Sequence, residues 1–367
     1  PKVVVFSGGT AMNVIAVELS ELTQKVTHVI PVSDNGGSTS EIVRVLGGPA
    51  VGDLRSRCLR VTDESTPEAV AVKALLGHRL HPTDSALARD EWYKIQEGDH
   101  ELWEGIGQDY ANIIRRFLVH FHQEVTSKPI KERFDFVNGS IGNFFFAGAR
   151  LFFRSMDAAI FLYSRVSRIP DDTHIVPCLL HKENERVNLA AELMNGTILR
   201  GQNEISHPSI DSKNVWDVDK VVTAYDPLES PIKRVFYASS LDPADDNFEV
   251  QPKPNPTVLE NITDCDAILY GMGSLYTSII PNVGLKGMAQ CIASSTSKKL
   301  LMLNGSLDRE TGTMTASEIV RAVVDAVNMR YTAAETNFDV KELITDVVYP
   351  KNGGITVDVD ALAAMGV

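Results

Sequence analysis

Five short stretches hold the residue types that could do chemistry: Ser7-Gly8-Gly9-Thr10, Asp34-Asn35-Gly36-Gly37-Ser38, Gly52-Asp53-Leu54-Arg55, Asn138-Gly139-Ser140-Ile141-Gly142-Asn143, and Gly271-Met272-Gly273-Ser274-Leu275-Tyr276-Thr277-Ser278. Glycine lets backbone N–H groups come close to a ligand, and a glycine turn that opens a helix adds the positive end of the helix dipole, so such loops suit anions and phosphate in particular. Thr10, Ser274 and Thr277 would hold phosphates, and Asn138, Ser140 and Asn143 would add polar contacts. Asp34 and Asp53 are the carboxylates of these stretches. Arg55 could orient Asp53 or meet a ligand. A structural reading stands beside each: Ser38, Thr39, Asn138 and Ser140 are good helix caps, Asp34 is a turn former, and Asp53 with Arg55 could be a surface ion pair. None of the loops is a Walker A loop, since no Lys-Ser/Thr follows. None is a Gly-x-Gly-x-x-Gly dinucleotide fingerprint, which argues against a nicotinamide oxidoreductase.

Positioning these loops requires strands that end in them and helices that start from them. Val3-Val4-Val5-Phe6 is an unbroken apolar run, as expected of a strand buried on both faces in a parallel sheet. Residues 26–32 repeat the grammar of strand, glycine-polar loop and helix, so the first two loops should lie at neighbouring strand ends, where ligands of open α/β sheets bind. Residues 266–270 form another buried strand that leads into the fifth loop. Residues 67–123 read as a helical insertion (69–76, 86–95, 102–121) within a single domain spanning 1–367. The middle reads as β-rich, with strands at 158–163, 175–180, 187–193 and 234–238 and an Asn195-Gly196 hairpin turn. Residues 211–219 read as a loop, 257–263, 285–292 and 316–327 as helices, 299–303 as a strand, and 355–357 as closing the sheet edge. The expected class is α/β, a three-layer αβα Rossmann-like fold with a mostly parallel sheet.

The 367 residues carry a formal net charge of -13, with 44% hydrophobic and 23% charged residues. That balance is ordinary for a globular protein and argues against a nucleic-acid partner, whose phosphates require a basic surface. Cys58, Cys178, Cys265 and Cys291 are scattered without a Cys-x-x-Cys pair. No apolar run approaches membrane length, so a cytoplasmic protein without a membrane partner is expected. His78, His81, His120 and His122 lack companions at ligand spacing and do not suggest a metal site.

Taken in order, Phe6-Ser7-Gly8-Gly9-Thr10, Asp34-Asn35-Gly36-Gly37-Ser38, Gly52-Asp53-Leu54-Arg55, Ser140-Ile141-Gly142-Asn143, the 191–201 hairpin, Asn255-Pro256 and residues 271–282 resemble the 2-phospho-L-lactate transferase family, also called CofD/YvcK-like. The resemblance implies a Rossmann-like fold with one ligand cleft. In one branch a phosphate-linked group passes from a guanosine diphosphate donor to a deazaflavin alcohol with magnesium; the other is a metabolic regulator that binds nucleotide sugars. The run 273–278 is similar to the regulator branch. If the chain is catalytic, the resemblance makes Asp34 and Asp53 the candidates to hold magnesium or orient the acceptor hydroxyl. Ala11 stands where the family usually has a further glycine, and Asn35 where it usually has a second carboxylate, which weakens a magnesium site. A nucleotide or nucleotide-sugar ligand is therefore expected, as substrate of a transferase or as the signal of a non-catalytic regulator; self-association is left open.

Overall fold

Val3–Phe6 (β1) buries both of its faces: Val4 and Phe6 enter the main core, while Val3 and Val5 pack with Met12, Leu19 and Val26 on the other side. A strand apolar at every position can sit only between two covered faces, hence at the centre of a sheet. The computed structural model describes residues 1–33, 36–180, 187–206, 226–242, 245, 248–330 and 337–367. In it β1 lies between Val26–Ile30 (β2) and the later strand Ala267–Tyr270, parallel to both. The remaining strands are His174–Pro177 (β3), Asn188–Leu193 (β4), Ile198–Arg200 (β5), Ile232–Ala238 (β6), Glu249–Val250 (β7), Ala267–Tyr270 (β8), Lys298–Met302 (β9) and Asp346–Val348 (β10). The main sheet is parallel throughout, in the order β10-β9-β8-β1-β2-β3. From β1 the chain builds outward through β2 and β3; from β8 it builds the other way through β9 and β10. The direction reverses between β1 and β8, and a crevice opens there at the strands' C-terminal ends.

The helices that serve this edge are Asn13–Leu22 (α1), Gly37–Leu46 (α2) and Gly52–Arg60 (α3), followed by Pro67–Gly77 (α4), Ser85–Glu97 (α5), Gln108–Thr126 (α6), Ile141–Phe153 (α7) and Met156–Val166 (α8). Trp92 of α5 is fully buried against Phe121, Phe136 and Phe144, which fixes α5 and α6 on α7. A second, antiparallel sheet runs β5-β4-β6-β7, with Asn195 and Gly196 turning the β4–β5 hairpin. Tyr237 of β6 donates a 2.9 Å hydrogen bond to the Pro281 carbonyl, tying this sheet to the segment after β8.

The parallel sheet flanked by helices is the expected α/β class, and three local expectations are corrected. Residues 158–163 lie in helix α8, not in a strand: Ser155 caps the Ala158 amide, and Ala159, Ile160, Tyr163 and Val166 are buried at helical spacing. A short apolar run with no polar punctuation fits either element until its cap is recognised. The 102–121 helix is broken into a short turn at Glu101–Trp103 and α6, with Gly105 at φ +80° between them. Residues 355–357 do not close the sheet; β10 does, and the Thr356 carbonyl instead accepts from the Ala316 amide at the start of the helix Ala316–Arg330. The expected loop at 211–219 lies outside the described residues.

Candidate functional site

The loop after β1 is held by its carbonyls. Arg57 Nη2 donates to the Gly8 carbonyl at 3.0 Å and to Ser7 Oγ at 3.1 Å. Asn13 Nδ2 and Ser56 Oγ both donate to the Gly9 carbonyl, at 2.7 and 2.9 Å. With these oxygens turned toward α1 and α3, the N–H groups of Gly9 and Thr10, which share their peptide planes, face the other way; neither they nor the Gly8 N–H makes a hydrogen bond among the described residues. Glycine at position 9 is a packing requirement: a Cβ there would run into the Asp53 carboxylate and come within 2.7 Å of Asp53 Cα.

Arg57 is the charge beneath this loop. It is fully buried, and Nε and Nη1 find no hydrogen-bond partner among the described residues. Burial pulls its pKa down to about 10, and Asp53, the nearest acid, works against that, so it remains a cation at neutral pH. A buried guanidinium with open donors costs several kcal/mol, a cost that an anion at the loop would offset. His28 lies fully buried nearby, its pKa well below the usual value through burial first and the Arg57 charge second, so it is neutral.

The loop after β8 meets the first one. The Gly271 amide donates to the Phe6 carbonyl at 2.7 Å, and a Cβ at Gly273 would lie 3.6 Å from the Gly8 nitrogen. Asn304, at the end of β9, fastens Gly273 from both sides: the Gly273 amide donates to Asn304 Oδ1, and Asn304 Nδ2 donates to the Gly273 carbonyl, each at 3.0 Å. Gly273 has φ +151°, a conformation side chains rarely adopt. Leu275–Ile279 then forms one wide turn of π-helix. Leu275 enters the core, while the Tyr276 and Thr277 amides donate to Glu310 Oε2 at 2.8 and 3.1 Å, and Thr277 Oγ1 donates to Glu310 Oε1 at 2.6 Å. Ser278 turns back toward Gly8 and fills the space beside it. The Met272 and Ser274 amides make no hydrogen bond among the described residues.

A third group sits beside these loops, where α2, α3 and α7 converge. Ser140 Oγ caps α7 by accepting from the Asn143 amide. Asn143 Nδ2 donates to Ser38 Oγ at 2.9 Å and to Thr39 Oγ1 at 3.4 Å, and its Oδ1 accepts from Arg55 Nε at 3.0 Å. Burial lowers the pKa of Arg55; burial and then the Arg55 charge lower that of Arg79. Two cations thus stand close together at the mouth of α7.

The structure brings Gly8, Gly9, Asp53, Gly271, Gly273 and Ser278 to one crevice and Ser38, Arg55, Ser140 and Asn143 to its neighbour, with α3 supplying both Asp53 and Arg55. Gly36 is the residue before α2, and Gly37 begins that helix with φ +51°. Gly142 is a packing residue, its Cα against the Leu76 carbonyl and Tyr163 hydroxyl. Asn138, at φ +52°, offers its carbonyl to Arg79 at 3.2 Å and has no described side-chain bond to the group around Asn143. Asp34 and Asn35 lie outside the described residues. Among the described residues no group of three or more His, Cys, Asp or Glu could hold a metal ion. His78 instead pairs with Glu91 at 2.6 Å, and His122 Nδ1 accepts from Trp92.

Two residues of the site escaped sequence reasoning. Arg57 sits on the same helical face as the apolar Leu54 and Cys58, and a charged residue at an apolar position is the signal that could have found it. Glu310 lies in Asp308-Arg309-Glu310-Thr311, which reads as a solvated charged turn and carries no such signal.

Comparison with known proteins extends these observations. The family model described as 2-phospho-L-lactate transferase CofD matches residues 3–366. An uncharacterized protein of Saccharomyces cerevisiae is 33% identical over 97% of this chain and 91% of its own length. A protein named gluconeogenesis factor from Halalkalibacterium halodurans is 25% identical over 88% of this chain and 73% of its own, and a putative gluconeogenesis factor from Thermoanaerobacterium thermosulfurigenes is 27% identical over 83% and 67%. A crystal structure of a UPF0052-family protein from Bacillus halodurans superposes with a TM-score of 0.67 at 22% identity, covering all of this chain and 91% of that one, which shows a shared fold. Matched along almost its whole length, the chain belongs to the CofD family.

Proposed function

We propose that this protein binds the diphosphate of a nucleotide or nucleotide sugar in the crevice between β1 and β8, and that any reaction it catalyses is the transfer of a phosphate-linked group. The observation that carries this reading is the pairing, at the reversal of strand order, of unbonded Gly8, Gly9 and Thr10 amides with a buried, partly unpartnered Arg57. Donors fixed in place before the ligand arrives cost little reorganisation, which is what binding and stabilising a diphosphate require. The Met272 and Ser274 amides, without a hydrogen bond among the described residues, would take the second phosphate. Ser38, Asn143 and Arg55 lie where a hydroxyl or amide group of the ligand's remaining part would reach them.

Magnesium is the cofactor the family resemblance suggests. The donor set described at the crevice contains one carboxylate, Asp53, which fits an ion held mainly by ligand phosphates. Such an ion would neutralise phosphate charge; Asp53 would hold it or orient an acceptor hydroxyl, Arg57 would support the Gly8–Gly9 loop, and Arg55 would balance charge at the rim. A second reading, regulation by an occupied but unreactive crevice, is favoured by the relatives named gluconeogenesis factor.

Calorimetric titration with UDP-glucose, GDP and NAD, with and without magnesium, tests binding, and phosphorus NMR follows donor turnover. Binding of a diphosphate with turnover favours the transferase; binding without it favours the regulator. Absence of binding by all three would overturn both.

A further inference from the structure

Glu310 is hydrogen-bonded to the loop after β8 from behind, and neither phosphate binding nor transfer calls for it. It is buried, on the loop that precedes the helix Ala316–Arg330. Its Oε2 accepts from the Tyr276 and Thr277 amides, the two donors of the π-helical turn that would otherwise form an anion nest. Its Oε1 closes a triangle with two hydroxyls: Thr277 Oγ1 at 2.6 Å, Ser206 Oγ in a short contact, and Ser206 Oγ to Thr277 Oγ1 at 3.0 Å. Ser206 ends the short helix Gln202–Ser206, whose last carbonyls, Glu204 and Ile205, accept from Arg309.

Counting protons decides which form fits. The triangle has three contacts, and two hydroxyl protons can serve only two of them. A third proton, on Glu310, gives every contact one donor. With Glu310 ionised, both hydroxyls turn to the carboxylate and the Ser206–Thr277 contact sets two oxygens against each other.

We propose that Glu310 is a positioning residue that fastens the wall of the diphosphate crevice in its protonated form, filling the Tyr276–Thr277 nest from within, so that anion binding and Glu310 protonation favour one another. The coupling rests on the diphosphate reading above; the protonated clasp does not. Ser278, which follows the clasped amides directly, is the residue packed beside Gly8, so the clasp sets the geometry of that contact.

The electrostatic surroundings agree. Burial pushes the Glu310 carboxyl up to about 7 and Asp308 adds to the rise, while Ser206, Thr277 and the Tyr276 amide pull the other way. Arg309 is on the same loop, Glu204 on the helix that carries Ser206, and Tyr276 stays neutral, its pKa pushed up to about 12 mainly by burial. Glu318, Arg321 and Asp325 of the helix Ala316–Arg330 share with Glu310 a cavity of about 590 Å³, as do Lys233 and Arg234 of β6, both already paired with Glu192. The cavity is the route by which a proton exchanges with solvent. A new negative charge beneath a bound diphosphate repels it, and by linkage a bound diphosphate raises the proton affinity of Glu310.

Carbon-13 NMR of the glutamate carboxyls of the ligand-free wild type reads the clasp directly. One carboxyl titrating near neutral pH, absent from Glu310→Gln, is expected; a Glu310 signal titrating with the ordinary glutamates overturns the clasp. UDP-glucose, whose diphosphate does not titrate between pH 6 and 8.5, reads the coupling by calorimetry. Its affinity should fall at least about 5-fold across that range in the wild type and stay flat in Glu310→Gln, while Glu310→Asp, too short to span the triangle, should bind weakly at every pH. A flat wild-type profile, or the same slope in Glu310→Gln, overturns the coupling. Absence of binding by UDP-glucose, GDP and NAD at every pH overturns the diphosphate reading and the coupling with it, and leaves the carboxyl titration to decide the clasp.

Discussion

In the loop after β1, side chains of Asn13, Ser56 and Arg57 bond the carbonyls and leave the amides of Gly8, Gly9 and Thr10 open to the crevice. In the loop after β8, Asn304 bonds both backbone groups of Gly273, and Glu310 takes the amides of Tyr276 and Thr277. Two glycine loops of similar composition therefore play opposite parts. The first is a set of donors awaiting an acceptor; the second is a wall whose donors are largely satisfied by its own protein. The difference comes from what lies behind each loop. Behind the first, a guanidinium, an amide and a hydroxyl all donate to carbonyl oxygens; behind the second, a carboxyl group accepts from N–H groups.

This contrast ranks the consequences of substitution. Gly9→Val should have the largest effect. The new side chain meets α3 at Asp53 and displaces the amides from the crevice, so the protein loses about 1–3 kcal/mol of stability from overpacking. UDP-glucose affinity should drop about 100-fold or more through loss of two charge-assisted bonds. Urea unfolding and calorimetry measure the two separately, and a variant with native affinity would remove the β1 loop from the site.

Arg57→Met comes next and separates binding from stability. Removing a buried, partly unpartnered charge should leave stability within about 1 kcal/mol of the wild type, since the relieved burial cost offsets the lost bonds to Ser7 and Gly8. Affinity for a diphosphate should fall about 10- to 100-fold. A large loss of stability with affinity unchanged would make Arg57 a structural residue only. The smallest effect is expected at the satisfied wall: Asn304→Ala frees both groups of Gly273, costs about 1–2 kcal/mol of stability, and lowers affinity only about 3- to 10-fold.

The strands and their loops were legible because their signals are local. Val3-Val4-Val5-Phe6 is apolar at every position, and the loops at 7–10 and 271–278 follow β1 and β8 directly in the sequence. Residues 158–163 read as a strand because they are apolar without interruption, and the cap that decides for the helix Met156–Val166, Ser155, lies outside the run. What the sequence could not tell was which loop faces the ligand. Gly8 is oriented by Arg57, 49 positions away, and the Thr277 amide is taken by Glu310, 33 positions away. Partners so distant are set by the order of strands in the sheet, not by any motif, so both loops read equally well as anion sites.

The most direct test of the central claim is nitrogen-15 NMR of the backbone amides during titration with UDP-glucose. The account predicts large, saturable shifts at Gly8, Gly9 and Thr10, with much smaller ones at Tyr276 and Thr277, whose amides stay on Glu310. Large shifts at Tyr276 and Thr277 with Gly8 and Gly9 unmoved would contradict it, since they would place the ligand in the nest that Glu310 fills and leave the β1 loop a structural turn.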